Sequence, residues 1–306
     1  MLPNSLHRLA RASRRNELTW RYGFNLGPVL SYRLRSHTLA AEAQRVVDEL
    51  NENGVANTTV DALLENDLCY RELQRSVEEL EMSFAPELAE AKQNANHRGE
   101  VGEKTFNREL LGSNPVLDPE TVFARFALQN PILQIANAYF GMYTRLRYYN
   151  VWHTFAGQGE ARESQLWHYD REDRYILKVF LYLSDVDKGA GPFTYALGTH
   201  QKKKLNREPA YIVEGGVRRS SDEQMAEVVQ PCRWRECTGP KGTIVFADTR
   251  GFHKGGMARE HDRLMYTCMF TSQASQSKEL FRPALVTFQF KNREQSFALS
   301  SLRRPA

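Results

Sequence analysis

The chain has no long apolar run and no linker-like stretch, and each absence removes a class of protein. No apolar run in its 306 residues reaches about 18, the length that crosses a bilayer as a helix, so a membrane span is excluded. No segment rich in glycine, serine or proline divides the chain, and no segment repeats. With 41% hydrophobic and 25% charged residues, the composition is that of a globular protein, and we expect one large domain.

Cysteine is also scarce. Cys69, Cys232, Cys237 and Cys268 are scattered along the chain, and we expect them to be reduced thiols of a cytoplasmic protein. Cys232 and Cys237 are separated by four residues, but no second pair accompanies them, so the sequence does not predict a zinc knuckle.

The net charge of +4 is unevenly distributed. Residues 1–35 contain seven arginines against the single acid Glu17. We interpret residues 1–36 as a basic arm, either solvated or in weak contact with a membrane surface, and a cleavable organellar targeting segment remains open. Nucleic acid is not expected as a partner, because no aromatic residues alternate with these arginines and no nucleic-acid-binding module is visible.

Between the basic arm and Gly141, the sequence pattern mostly predicts helices. Apolar residues at helical spacing predict a helix over 38–51, ended by Gly54, and another over about 61–82. A β-branched stretch between them predicts a short strand at 55–60. The polar stretch 84–118 is expected to be irregular, and Asn130–Pro131 fits the N-cap and first position of a helix that ends near Gly141.

After Gly141 the chain becomes rich in aromatic and β-branched residues. This composition predicts strands at 146–155, 175–183, 242–248, 264–272 and 284–290. Because these runs are apolar on both faces, we expect strands covered on both sides. A long excursion at about 201–240 has the length and polarity of a lid. The expected architecture of residues 37–306 is a single, mainly β domain with a helical coat over about 37–141 and a β core over about 142–291.

Two histidines and an aspartate form the most specific pattern. His168 and Asp170 stand just before the strand at 175–183, where alternation places both side chains on one side of Tyr169. His253 lies in a glycine-flanked turn between two predicted strands. Two imidazoles and one carboxylate on one face of a metal are the ligand set of non-haem Fe(II) oxygenases. His200 and His261 are rival candidates for the third ligand.

Arg263 follows His253 by ten residues and opens the next predicted strand. Its face of that strand is otherwise uncharged, so the guanidinium needs a partner. A dicarboxylate co-substrate would fit it through two parallel hydrogen bonds. A structural ion pair with Asp185 or Glu172 is the alternative, and Arg259 is a competing anchor that we expect to be exposed.

Five further residues are candidates for the walls of a pocket. Lys178 interrupts an apolar strand, and a contact with a co-substrate and a purely structural role are both open. Asn150 and Trp152 share one face of a predicted strand, for which burial in the core is the alternative. Gln165 and Trp167 flank the metal pair in the sequence.

Four segments together resemble the phytanoyl-CoA dioxygenase family of Fe(II)- and 2-oxoglutarate-dependent enzymes. They are SQLWHYD, ILKVFLYLSDVDKGAGPFTYALGTH, GTIVFADTRGFHKGG and DRLMYTCMF. The likeness covers roughly residues 40–275 and is strongest over 164–270. It implies a double-stranded β-helix of the jelly-roll or cupin type, Fe(II) at His168, Asp170 and His253, and 2-oxoglutarate paired with Arg263.

The resemblance also implies a reaction, in which an unactivated C–H bond of a small molecule is hydroxylated and succinate and CO2 are released. It places a polar residue facing the cavity at Lys178, and a histidine that is not a ligand at His200. Asp170 disfavours halogenation, since related halogenases lack this carboxylate.

Two other functions remain open: a zinc-dependent hydrolase using the same three residues, and a metal-binding jelly-roll module without catalysis. The substrate remains open as well, with a weak preference for an anionic, lipid-linked or sugar-linked molecule, and so does the oligomeric state.

Overall fold

Helices are concentrated before residue 141, and strands dominate after it. The computed structural model describes residues 16–97, 104–201, 205–284 and 289–303. Its α-helices are α1 (Leu26–Arg33), α2 (Ala41–Asn53), α3 (Val60–Leu63), α4 (Leu68–Ser83), α5 (Ala85–Asn94), α6 (Val122–Ala127), α7 (Asn130–Phe140), α8 (Asp222–Ala226) and α9 (Arg293–Ala298). A π-helical segment, Thr19–Phe24, precedes α1. Among the described helices, none has the length and apolar character that crossing a membrane requires.

Most of the described strands form one large and one smaller antiparallel sheet. They are β1 (Val55–Thr59), β2 (Asn107–Glu109), β3 (Val116–Leu117), β4 (Arg145–Thr154), β5 (Leu177–Tyr182), β6 (Phe193–Ala196), β7 (Ile212–Glu214), β8 (Val217–Arg219), β9 (Trp234–Glu236), β10 (Thr243–Asp248), β11 (His253–Gly255), β12 (Arg263–Thr271) and β13 (Arg282–Pro283). The main sheet has the order β1-β10-β5-β12-β4-β2, and the smaller sheet has the order β11-β6-β9. Two further pairs are the antiparallel hairpin β7–β8 and the parallel pair β3–β13. The chain is therefore a mixture of helices and antiparallel sheets, and not mainly β.

The main sheet is buried on both faces, which explains its unbroken apolar strands. In β5, Leu177, Val179 and Leu181 belong to a core cluster that contains residues of α2, α4, α6 and α7. Phe180 and Tyr182, on the other face, pack in a second cluster with residues of the smaller sheet. The period of two along a strand thus turns one side of β5 toward the helices and the other toward the small sheet.

The predicted helix ends and strands agree well with the structure. α2 ends at Gly54 with φ 82°, and α7 ends at Gly141 with φ 63°, the left-handed conformation that favours glycine. The N-cap of α7 is Gln129, one residue before the predicted position. β1, β4, β5, β10 and β12 lie within two residues of their predicted bounds. Of the strand predicted at 284–290, residues 285–288 lie outside the described residues, and the others are not in a strand.

Two predictions about the helical region were wrong. The helix expected over 61–82 is divided into α3 and α4, and the polar stretch 84–118 contains α5, which has a proline in its first turn. Residues 1–15 of the predicted arm lie outside the described residues. The described remainder packs on the domain: Trp20 Nε1 donates to Asp173 Oδ1 at 3.0 Å, and Arg21 Nη1 donates to the carbonyl of Phe140 at 2.8 Å.

The excursion predicted at 201–240 contains regular structure. It holds the β7–β8 hairpin and α8, and β9 at its end joins the smaller sheet by pairing with β6. Residues 202–204 lie outside the described residues. The insertion into the β core therefore ends before Trp234.

Candidate metal centre and its cavity

The backbone holds two of the predicted ligands side by side. His168 N donates to His253 O, and His253 N donates to His168 O, each at 2.9 Å. Asp170 N donates to the carbonyl of Thr249 at 2.8 Å. The segment 168–170 is therefore bonded to the chain on both sides of the β10–β11 turn. Its position does not depend on the side chains that would bind a metal.

The two imidazoles present the same nitrogen to the space between them. His168 Nδ1 lies 2.8 Å from the carbonyl of Leu166, and His253 Nδ1 lies 3.0 Å from that of Gly251. Each Nδ1–H donates to its carbonyl, which leaves Nε2 as a free acceptor. Burial lowers the pKa of both histidines, and the neighbouring His253 lowers that of His168 further. The neutral imidazole is the form that binds a metal.

Asp170 completes the group. Its Oδ2 lies 2.7 Å from Lys178 Nζ and 4.0 Å from His253 Nε2. Burial alone would raise the pKa of Asp170, but the Lys178 ammonium and the two neighbouring histidines together outweigh burial and hold it well below its usual range. Burial would also lower the pKa of Lys178, but the charges of Asp170 and Glu172, with the hydrogen bond to Asp170, together outweigh burial and raise that pKa. The carboxylate is therefore ionised.

The three side chains fit a divalent cation. Their potential ligand atoms all lie within 4.8 Å of one another, and the set combines two neutral nitrogens with one anionic oxygen. In the described part of the chain, no other group of three potential ligands lies this close together. His200 bonds to the carbonyl of Asn51 at 3.3 Å, and the side chain of His261 is 61% exposed, so neither belongs to the group.

Arg263 is buried, and no carboxylate among the described residues pairs with it. It is 5% exposed, its Nη1 lies 3.5 Å from the carbonyl of Ala190, and its Nε has no hydrogen-bond partner in the same part of the chain. Neither alternative partner pairs with it: Asp185 accepts from the Lys241 backbone at 2.8 Å, and Glu172 accepts from the Arg171 backbone at 2.8 Å.

A glycine of β11 lies beside Arg263. A Cβ on Gly255 would stand 3.8 Å from Arg263 Nη2. Burial lowers the pKa of Arg263, which reflects the cost of a charge without a counter-ion. Arg259 is exposed, as expected, and donates to the carbonyl of Gly159 at 3.0 Å. Of the two arginines, only Arg263 lines the cavity described next.

One cavity of about 710 Å³ connects the metal group with Arg263. Its lining includes the predicted residues Lys178, Trp152 and Gln165. Both sheets contribute, the main sheet with residues such as Phe180 and the smaller sheet with residues such as Phe193. A cavity of this size accommodates a small organic molecule.

Two predicted pocket residues do not line the cavity. Asn150 lies on the same face of β4 as Trp152, but its side-chain amide is hydrogen-bonded to the backbone of residues 111–112. The amide oxygen accepts from Leu111 N at 3.1 Å, and the amide nitrogen donates to Gly112 O at 2.8 Å. Trp167 is fully buried, and its indole donates to Asp222 Oδ1 at 2.7 Å. Side chains of an extended segment point alternately to opposite sides, and Trp167 is adjacent to His168. Because His168 points into the cavity, Trp167 points away from it.

Sequence reasoning missed several residues of the cavity. Lys104, Tyr148 and Arg219 line it. Lys104 lies in a stretch interpreted as irregular, and Arg219 lies in the presumed lid. Neither position has a motif around it. Tyr148 could have been predicted, because it lies four residues before Trp152 on β4 and therefore on the same face of the strand.

The architecture is shared with solved structures, among them one of an iron-bound protein and one of a non-heme monooxygenase. EctD from S. alaskensis, solved with bound Fe, is 15% identical, with 84% of this chain and 84% of that chain covered and a TM-score of 0.52. The non-heme monooxygenase ThoJ is 12% identical, with 84% and 94% covered and a TM-score of 0.50. The chain has their fold. No protein-family model and no curated protein sequence matches it.

Proposed function

We propose that the chain is an Fe(II)- and 2-oxoglutarate-dependent oxygenase that hydroxylates an unactivated C–H bond of a small molecule, with release of succinate and CO2. The observation that carries this proposal is the presence of His168, Asp170, His253 and a buried Arg263 without a counter-ion in one cavity. The fold shared with iron-containing proteins supports it. In finer detail, we propose a double-stranded β-helix core within residues 37–306, with the helices before residue 141 as its coat.

The chain's own residues would each perform one task. His168 and His253 donate Nε2 to the metal, because their Nδ1 atoms are held by carbonyls. Asp170 supplies the negative charge, and Lys178 holds its Oδ2 and limits how the carboxylate turns. Iron(II) in this site, together with 2-oxoglutarate and dioxygen, supplies the oxidising power that breaks a C–H bond.

Arg263 would position the co-substrate. The pairing of β12 with β4 and β5 fixes the arginine, and its unpartnered Nε is available to a carboxylate. A dicarboxylate that reaches from Arg263 to the metal group satisfies this buried charge. The apolar side chains around it, such as Phe180 and Met265, exclude water from the reacting groups.

The experiment is a succinate-release screen with protein reconstituted anaerobically and then exposed to oxygen. We expect succinate formation from 2-oxoglutarate with Fe(II) and not with Zn(II), stimulated by one class of small molecule in the panel. A parallel screen with Zn(II) and ester or amide substrates tests the hydrolase alternative. Hydrolysis with Zn(II), in the absence of any Fe(II)-dependent succinate, would show that the proposal is wrong.

We also propose that the N-terminal region contacts an anionic membrane weakly while the protein remains cytoplasmic. In the described part of this region, exposed apolar side chains recur every four residues, at Leu18, Tyr22, Leu26, Leu30 and Leu34. Exposed Arg33 and Arg35 accompany them. Salt-sensitive sedimentation with anionic liposomes, lost in a variant with Leu26, Leu30 and Leu34 changed to Ser, would support the proposal. Equal sedimentation with neutral liposomes would contradict it.

A further inference from the structure

Arg219 is a second buried arginine of the cavity, and the metal centre does not use it. It is 5% exposed, and its Nη2 donates to Glu163 Oε2 at 3.1 Å. Its Nε and Nη1 are buried and have no hydrogen-bond partner among the residues that the structure describes. Because buried guanidinium N–H groups are costly to leave unpaired, two donors remain for a ligand in the cavity that Arg219 lines.

The local backbone holds Arg219 in this position. Ser220, the next residue, exchanges two backbone hydrogen bonds with Trp167, at 2.9 and 3.0 Å, so Arg219 lies beside the segment that carries His168. Its partner Glu163 has a φ of 48°, in the left-handed region that is unfavourable for a residue with a side chain. Such strain persists only where the surrounding structure enforces it, and it is often found at functional sites.

Lys104 brings a further positive charge to the same region. It lines the cavity, and its Nζ lies 5.5 Å from the ring centroid of Trp152. Burial lowers the pKa of Lys104, and the nearby charges of Lys178 and Arg219 lower it as well. In the described structure, Lys104 forms no ion pair, whereas Lys178 is paired with Asp170.

The charge balance shows what the cavity lacks. Five cationic side chains and three carboxylates line it, and Glu163, which pairs with Arg219, adds a fourth carboxylate beside the lining. A bound iron(II) and a bound 2-oxoglutarate carry opposite double charges and cancel, so the excess of positive charge persists when both are present. The other lining residues near Lys104 are largely apolar and aromatic, and they include Phe106, Tyr148, Trp152 and Leu280.

We propose that Arg219 and Lys104 form an anion subsite and that the substrate is an organic anion, a carboxylate or a phosphate ester on an apolar body. The anionic group would bind to the two cations, and the body would lie against the aromatic side chains. This assignment of a substrate rests on the proposed function, but the subsite itself does not require iron.

The experiment measures binding to metal-free protein by calorimetry, with octanoate, octyl phosphate and octanol as probes below their micelle concentrations. We expect octanoate or octyl phosphate to bind at least about tenfold more tightly than octanol, since a charge-assisted contact contributes about that factor or more. The comparison of the two anions tells a carboxylate subsite from a phosphate subsite.

Variants locate the subsite. Lys104→Met and Arg219→Gln should each weaken anion binding about tenfold and leave octanol binding unchanged, because only the charged contact is lost. Arg171→Gln, which removes an exposed cation of the same cavity, is the matched control and should change anion binding less than about threefold. Arg219→Gln leaves Glu163 buried without its partner, which could destabilise the protein. The double variant Arg219→Gln/Glu163→Gln removes the same cation from the subsite and leaves no unpaired carboxylate behind.

Three results would overturn the subsite. They are equal binding of octanol and the anions, unchanged anion binding in both Lys104→Met and the double variant, and an equal loss in Arg171→Gln. If anions bind as expected but no Fe(II)-dependent succinate is formed, the proposed function fails and the subsite stands. If succinate is formed and anions do not bind, only the subsite fails.

Discussion

The two walls of the cavity differ in how the chain holds them. The inner wall consists of the lining residues on β4, β5, β11, β12 and segment 168–170, where the strands pair on both sides or the backbone is bonded to β11. The edge wall consists of the lining residues within 104–113 and 216–219. Of its strands, β2 pairs with β4 over three residues, and β8 pairs with the neighbouring strand β7.

The difference between the walls suggests that they serve the reaction and the recognition of the substrate separately. Residues that would hold iron and 2-oxoglutarate belong to the inner wall, where pairing leaves little freedom. The edge wall carries Lys104 and Arg219, and its segments can change in length and sequence without disturbing the main sheet. We therefore expect changes in the inner wall to affect turnover of every substrate, and changes in the edge wall to affect which substrate is used.

Removal of a metal ligand should have the largest effect. In His253→Ala, we expect substrate-dependent succinate formation to fall by about a thousandfold or more, because the site loses one of three protein ligands. The fold should remain, since the backbone bonds between His168 and His253 do not use the side chain. His261→Ala, at an exposed histidine, is the control. Full activity in His253→Ala would mean that the ligand is misassigned.

The next largest effect should come from Arg263→Met. We expect the KM for 2-oxoglutarate to rise by about ten- to a hundredfold, equivalent to roughly 1.5–3 kcal/mol for a lost charge-assisted pair. The KM for the substrate should change little. Arg259→Met, at the exposed arginine, should leave both constants near their original values. The reverse pattern would move the anchor to Arg259.

The inner wall was predictable from sequence because its signals are local. His168 and Asp170 are two residues apart, and the β-branched and aromatic strands around them are recognisable by their composition. Arg263 was identified because a charge on an apolar strand face requires a partner. The alternation that places His168 in the cavity also places Trp167 outside it, so the error about Trp167 was avoidable.

The edge wall was not predictable, because nothing local marks it. Lys104 and Arg219 come from stretches whose composition suggested irregular structure, and they meet only through the tertiary fold. Asn150 was misassigned for the same reason, since the backbone of 111–112 that covers it comes from a distant part of the chain. The helix α5 was missed because only Leu88 of its residues is buried, which leaves a weak periodic signal.

Asn150 joins the two walls, so Asn150→Ala sharpens the comparison between them. The variant loses a donor and an acceptor to the 111–112 backbone, and we expect a loss of about 2–3 kcal/mol in the free energy of unfolding. The KM for the substrate should rise while the KM for 2-oxoglutarate stays constant, because only the edge wall is released. Denaturant unfolding and steady-state kinetics measure both, and a parallel rise in the two KM values would contradict the separation.

The smallest effect concerns the outer face of β4. Burial would lower the pKa of His153, but hydrogen bonds to Asp262 at 3.3 Å and Glu81 at 2.8 Å outweigh it and raise the pKa to about 9. A raised pKa means that this stabilisation is present below about pH 6.5 and is lost as the pH rises through about 9. Its size is on the order of 1 kcal/mol, because both carboxylates are partly exposed.

The measurement is the free energy of unfolding of the wild type and of His153→Gln between pH 6 and pH 10. The difference between the two proteins should shrink as the pH rises. The pH dependence of succinate formation should be the same in both, since His153 lies outside the cavity lining. A difference in stability that is constant with pH would show that His153 is not charged in the folded protein.

The mutual backbone bonds of His168 and His253 also bear on how the protein would acquire its metal. Ligands that are assembled before the ion arrives do not spend binding energy on folding, so the empty protein should persist and exchange ions readily. Such a site follows the general order of divalent affinities, in which copper and zinc bind more tightly than iron. The identity of the ion in the cell would then be decided by which metals are available to the folded protein, and less by the protein itself.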